Sequence, residues 1–199
     1  MPRRRFGQLV WLLFFGSGAC GLMYEVVWAR TMTHVFGSTA VAIGTVIAAF
    51  MSGLALGGWL LGKLADRFPR PLRLYAYLEI GVGIAALGAH LALSHITPAY
   101  IAVYEVFGRS GVALGISRFL MVFLVVLVPT FLMGGTLPVL TRYDIQHPSR
   151  VGRGLSALYA VNTIGAVAGT LVTGIYLIGT YGTHASVYVA VCGNLLIGI

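Results

Sequence analysis

Charge is what this chain has least of. Only 9% of its 199 residues are Asp, Glu, Lys or Arg, against 58% hydrophobic. A soluble domain carries about a quarter charged residues, because its whole surface meets water. That class is excluded, and lipid must supply the solvent. Acidic residues are the scarcest, five against thirteen basic. Cysteine is nearly absent: Cys20 and Cys192 sit in apolar runs with no neighbour at metal-ligand spacing, and read as small core residues. No H-E-x-x-H, G-x-S-x-G or Walker loop occurs, and His34, His90, His95, His147 and His184 fall in separate segments. No catalytic residue, metal site or cofactor site is therefore expected. The basic residues are not interleaved with aromatics as on a nucleic-acid surface, so a nucleic-acid partner is not expected either.

What the chain does have is long apolar runs and 27 glycines. A bilayer core of about 30 Å needs roughly 20 apolar residues in helix. Six segments meet this or nearly do: about Gln8 to Ala29, Thr39 to Gly62, Arg73 to Ser94, Ser117 to Leu140, Gly154 to Ile178, and Thr183 to Ile199. The fold class is all-α, a polytopic membrane helix bundle of about six spans forming one domain. Between spans 3 and 4, Ile96, Tyr100, Val103, Tyr104 and Phe107 recur at helical spacing, which predicts a short helix on the outer surface. The last run is still apolar at Ile199, with no basic anchor after it. The chain is therefore expected to be the front part of a longer or split protein.

Short basic loops set the orientation. With a cytoplasmic N-terminus the inner side holds Arg3, Arg4 and Arg5, then Lys63, Arg67, Arg70 and Arg73, then Arg142, Arg150 and Arg153. The outer side holds only Arg30, Arg109 and Arg118. The positive-inside rule selects this arrangement, in a membrane of the bacterial cytoplasmic type. Trp11, Trp59, Tyr75 and Tyr143 then belong to an inner aromatic belt, and Trp28, Tyr100, Tyr104, Tyr176, Tyr181 and Tyr188 to an outer one.

Gly16-Ser17-Gly18-Ala19-Cys20-Gly21 spells G-x-G-x-x-G, but inside an apolar helix, so it reads as helix packing and not as a dinucleotide fingerprint. Spans 2 and 5 each carry small residues four apart, Gly53 and Gly57 in one and Gly165 and Gly169 in the other, which marks tight packing faces. Intramembrane polar groups are where a ligand would be met. Glu25 and Trp28 are three apart on span 1, a carboxylate beside an aromatic ring, as a dication such as a polyamine would want. The competing reading pairs Glu25 with Arg30 or Arg118. Glu79 is the other deep carboxylate, and its two readings are a ligand group or a partner of Arg67 or Arg70. Asn162 and Asn194 are buried amides, more often interhelical glue than ligands.

The loop Gly62 to Arg70 resembles the major facilitator signature G-x-x-x-D-R-x-G-R through Gly62, Asp66, Arg67 and Arg70, with Pro69 where that signature has Gly. Nearly the whole chain resembles a family. Tyr24-Glu25-Val26-Val27-Trp28-Ala29-Arg30, Phe36-Gly37-Ser38-Thr39, Ala48 to Gly57, Leu64-Ala65-Asp66-Arg67, Gly134-Gly135-Thr136-Leu137-Pro138 and Leu158 to Ala166 are similar, in order, to the membrane domain of spermidine synthase-like membrane proteins. These are described as fused major-facilitator/spermidine synthase proteins. The resemblance implies half of a major facilitator in fold, usually followed by a cytoplasmic aminopropyltransferase-type domain that these residues do not contain. It implies a non-catalytic module whose partners are the bilayer and either another membrane protein or that C-terminal domain. A half-transporter handling polyamines or another small cation is the alternative.

Topology is testable directly. In intact cells a membrane-impermeant thiol reagent should label Ser110→Cys and leave Arg70→Cys unlabelled; labelling of Arg70→Cys from outside would reverse the orientation.

Overall fold

The computed structural model describes residues 2–65, 67–144 and 151–199, with side chains over 8–65, 67–143 and 154–199. Among the described residues every element is a helix: α1 (Pro2–Phe36), α2 (Thr39–Ala65), α3 (Pro71–Ser94), α4 (Thr97–Phe107), α5 (Gly111–Asp144), α6 (Val151–Leu171), a π-helical turn (Val172–Leu177) and α7 (Ile178–Gly198). Five apolar stretches are long enough to cross a membrane, and the fifth, Gly154–Gly198, has 45 residues. A straight helix of that length would span about 67 Å, twice a bilayer. It does not run straight. Gly182 takes φ 81° and ψ 178°, a backbone that an L side chain resists, and the chain turns back there. The bundle is thus built from six crossing segments, as expected, with the hairpin of the last two pinned at Gly182.

Several ends differ from the expected ones. α1 continues past Ala29 to Phe36 because Met32 and Phe36 are buried, while Thr31 and Thr33 fold their hydroxyls back onto the Val27 and Ala29 carbonyls. α5 starts at Gly111, not Ser117, with the Ser110 hydroxyl accepting from the Ala113 N–H and Leu114 buried. α5 also carries Pro129 and Pro138 inside it. Such prolines are tolerated in membrane helices, and beside Pro129 the Thr130 hydroxyl donates to the Val126 carbonyl at 2.6 Å. The short helix between spans 3 and 4 is α4, but it does not simply lie on the surface. Tyr100 is buried against Phe36, and its hydroxyl accepts from Arg118 on α5. Of the facilitator-like loop, Asp66 lies outside the described residues, as do the side chains of Arg3, Arg4, Arg5, Arg150 and Arg153; Arg67 and Arg70 are exposed.

The tightest contacts are α2 on α5 and α1 on α6, both parallel pairs, and they are built alike. A Cβ on Gly57 would strike the Phe131 carbonyl, and one on Gly165 would strike the Phe15 carbonyl. Gly134 rides on the Leu54 carbonyl, and Gly18 on the Asn162 carbonyl. Moving 108 residues along takes Leu54 and Gly57 onto Asn162 and Gly165, and moving 116 takes Phe15 and Gly18 onto Phe131 and Gly134. The same step of 116 carries the contact of Gly16 with Ile197 onto that of Leu132 with Gly81. α1 and α5 run in opposite directions, so α1–α2–α3 and α5–α6–α7 are two halves related by inversion, the inverted repeat seen in many transporters. Gly53 and Gly169 belong to the same crossings, against Thr130 and Ala19.

Gly165→Ala should push α6 off α1 and cost about 1–3 kcal/mol, the usual penalty of overpacking. Gly88, with nothing within 4 Å of a built Cβ, is the control. Thermal unfolding in detergent should drop for Gly165→Ala and not for Gly88→Ala; equal midpoints would contradict the crossing.

Candidate functional site

The polar groups inside the bundle collect in four places. The deepest lies between α1, α3 and α7. Glu79 is fully buried. Its Oε2 accepts from Asn194 Nδ2 at 2.6 Å, and Asn194 Oδ1 accepts from the Tyr24 hydroxyl at 2.8 Å. Ser17 and Tyr75 also interact with this carboxylate. Yet Oε1 of Glu79 and the Tyr75 hydroxyl each lack a well-formed hydrogen bond. Glu79 therefore meets neither Arg67 nor Arg70, as the sequence had allowed. The reason is spacing: Glu79 is eight residues into α3, about 12 Å from the loop, and its side chain faces the other helices. The amide glue role suggested for Asn194 is what its contacts describe.

The second place is a cavity of about 710 Å³ towards the end of the bundle that carries the N-terminus, walled by α1, α2, α5 and α6. Asn162 lines it and donates from Nδ2 to the Phe14 carbonyl at 3.1 Å. Tyr159, Thr141, Arg142 and Gly62 share its wall, and the Thr141 hydroxyl is buried without a partner. The third place is a groove of about 340 Å³ towards the opposite end, between α1, α2 and the π-turn. Glu25 and Arg30 both line it, with Oε2 of Glu25 buried and unpartnered. Neither expected arginine pairs with Glu25 among the described residues, since Arg118 is engaged with Tyr100 and Arg30 stands five residues on, off the face of Glu25. Trp28 does not join it. It is fully buried, stacked on Tyr24 at 5.6 Å and leaning on Phe50.

Fourth, His90 Nε2 and His184 Nδ1 lie 2.9 Å apart where α3 and α7 meet, beside a small cavity that His34 also lines. The sequence scattered these histidines; 94 residues separate the bonded pair, and only the hairpin at Gly182 brings them together. Among the described residues no group of three or more His, Cys, Asp or Glu could hold a metal ion. Trp28 thus packs on the Tyr24 that ends the Glu79 network, while Glu25 and Asn162 line two other cavities, so the four do not converge on one space. The link from Glu79 through Asn194 to Tyr24 was missed. Its signal was the pair of polar residues, Tyr24 and Asn194, buried in otherwise apolar runs.

These features define a helical bundle with membrane-crossing segments, polar at its centre. Among curated proteins the chain is similar to polyamine aminopropyltransferase 1 of Ralstonia nicotianae, 28% identical over 121 residues, which is 58% of this chain and 23% of that relative. The chain thus spans less than a quarter of that relative's length. No family model and no solved structure matches it.

Asn194→Leu removes a partner from both Glu79 and Tyr24 and should cost about 1–3 kcal/mol, the penalty of buried polar groups left unmade. Adding Tyr24→Phe should then cost little more, because the hydroxyl has already lost its acceptor. Fully additive losses of thermal stability in a double-mutant cycle would contradict the network.

Proposed function

We propose that this chain is the integral membrane module of a spermidine synthase-like protein, which holds a partner domain or a larger membrane complex at the bilayer. What carries the reading is the kind of structure on which the similarity falls. Every element among the described residues is a helix and none is a strand, so the stretch shared with an aminopropyltransferase runs through apolar helices long enough to cross a membrane and not through a nucleotide-binding sheet. A shared membrane segment beside an enzyme activity is what an anchoring module would leave in a comparison. Aminopropyl transfer itself would then belong to the partner, and the module carries no catalytic residue. The excess of basic residues in the loops on the N-terminal side supports a cytoplasmic N-terminus in a bacterial-type cytoplasmic membrane, which would put that partner in the cytoplasm.

A second reading is a half-transporter handling a small ligand, a polyamine or another small cation among them. It is favoured by the inverted repeat of the helix crossings, and by cavities towards both ends walled by the repeated helices α1 and α2. Transporter sites sit at such repeat interfaces.

One experiment separates the two. The tagged protein is solubilised from native membranes in mild detergent, and spermidine formation from putrescine and decarboxylated S-adenosylmethionine is assayed. The anchoring reading expects activity to co-purify with the chain, to vanish for the 199 residues reconstituted alone, and those vesicles to take up no putrescine. Uptake by the reconstituted chain with no co-purifying activity would overturn it in favour of the second reading.

A further inference from the structure

We propose that the groove lined by Glu25 and Arg30 binds a small free zwitterion, an amino-acid-like molecule carrying one primary ammonium and one carboxylate. The inference stands apart from the module's partner and from aminopropyl transfer. The groove encloses about 340 Å³, at the small end of ligand-sized cavities. Its two charged residues are unspent: Oε2 of the half-buried Glu25 is buried with no partner, and the exposed Arg30 makes no hydrogen bond or ion pair among the described residues. Five positions on a helix place two side chains about 140° apart, so they do not close on each other although both line the groove. An ion pair along the one helix would have been built three or four positions apart. Here an acid and a base are held separately over one cavity.

Charge matching selects the ligand. A dication meeting Glu25 would also meet the guanidinium, and a simple anion meeting Arg30 would also meet the carboxylate. A molecule with both charges satisfies each, and desolvating a charge without a partner is what makes the other two costly. Depth then separates a free ligand from a lipid. Glu25 lies about 7–8 Å deeper than Arg30 at 1.5 Å per residue. An ethanolamine headgroup presents the reverse order, phosphate beneath and ammonium above. A soluble zwitterion entering ammonium first has the order that the groove offers. The far wall is made by the π-turn, a rare backbone form often found at functional sites. Gly174 on that turn lines the groove, and no atom lies within 4 Å of where its Cβ would be. The glycine keeps this space open and is not there for packing.

The test uses the full-length protein in nanodiscs of phosphatidylcholine and phosphatidylglycerol. The probes are radiolabelled alanine and 4-aminobutyrate, with radiolabelled putrescine as the dication. Saturable binding of at least one zwitterion is expected. It should weaken about tenfold or more, or roughly 1.4 kcal/mol, in Glu25→Gln, in Arg30→Gln and in Gly174→Leu, which fills the groove without touching either charge. Thermal midpoints should stay near wild type, since neither charged side chain has a partner to lose. Glu25→Asp and Arg30→Lys should keep part of the affinity. Absence of zwitterion binding, or binding that all three variants retain, overturns the proposal. So does putrescine binding that needs Glu25 and improves in Arg30→Gln, which would make this a dication site. Binding confined to phosphatidylethanolamine added to the discs overturns it in favour of a lipid headgroup.

Discussion

In hydrocarbon, two helices gain nothing by hiding apolar surface from each other, because lipid is as apolar as they are. They must instead come close enough for backbone to pack on backbone. The rest of this bundle depends on that constraint. At Gly57 over Phe131, and again at Gly165 over Phe15, one helix has given up its side chain so that the carbonyl of the other can fill the space. These two crossings lock α2 to α5 and α1 to α6, and they set the register of the first half of the chain against the second. The cavity beside Asn162 lies between the two locked pairs, so the same crossings that hold each pair together also shape the space between them.

The polar interior follows from the same frame. α3 and α7 complete the halves and meet each other antiparallel, with Gly198 near Ala76 at one end and His90 on His184 at the other. That register puts Asn194 on Glu79, and the packing of α7 on α1 brings Tyr24 to Asn194. A carboxylate left alone at that depth costs several kcal/mol, so the amide and hydroxyl that reach it do more than fill space. Glu25 is treated in the opposite way. Its groove offers it no protein partner, and the one basic side chain nearby stands off its face.

Much of the fold was legible in one dimension. Apolar run length is local, and it located the six segments and the short helix α4 to within several residues. The ends were missed where buried apolar residues lie beyond a polar one, as Met32 and Phe36 do beyond Arg30 and as Leu114 does before Ser117. The glycine rows of α2 and α6 stood out by their four-residue spacing, but not their partners, since Phe131 and Phe15 contribute only a carbonyl, which every residue has. The polar contacts were hidden for a related reason. Asn194 lies 115 residues from Glu79 and His184 lies 94 from His90. Both distances are closed only by the turn at Gly182, which the sequence bracketed between Ile178 and Thr183 without showing which faces it would bring together. With Asn194 unseen, the arginines of the nearby loop were the natural partners to assign to Glu79. The unpaired state of Glu25 depends on side-chain direction, which spacing alone left open.

The return of α7 along α1 is the step on which the inverted halves, the buried network and the histidine contact all depend. It can be read with a single added thiol. A Cβ on Gly193 would come within 2.6 Å of the native Cys20 sulfur, within reach of a disulfide once the helices relax slightly. In a Cys192→Ser background, Gly193→Cys should oxidise onto Cys20 in native membranes and shift the mobility of the chain on a non-reducing gel, with Leu196→Cys, on an exposed position of the same helix, giving no shift. A Gly193→Cys protein that stays fully reduced under oxidant, with both thiols still open to alkylation after unfolding, would mean that α7 does not lie on α1, and the account of the fold would fail with it.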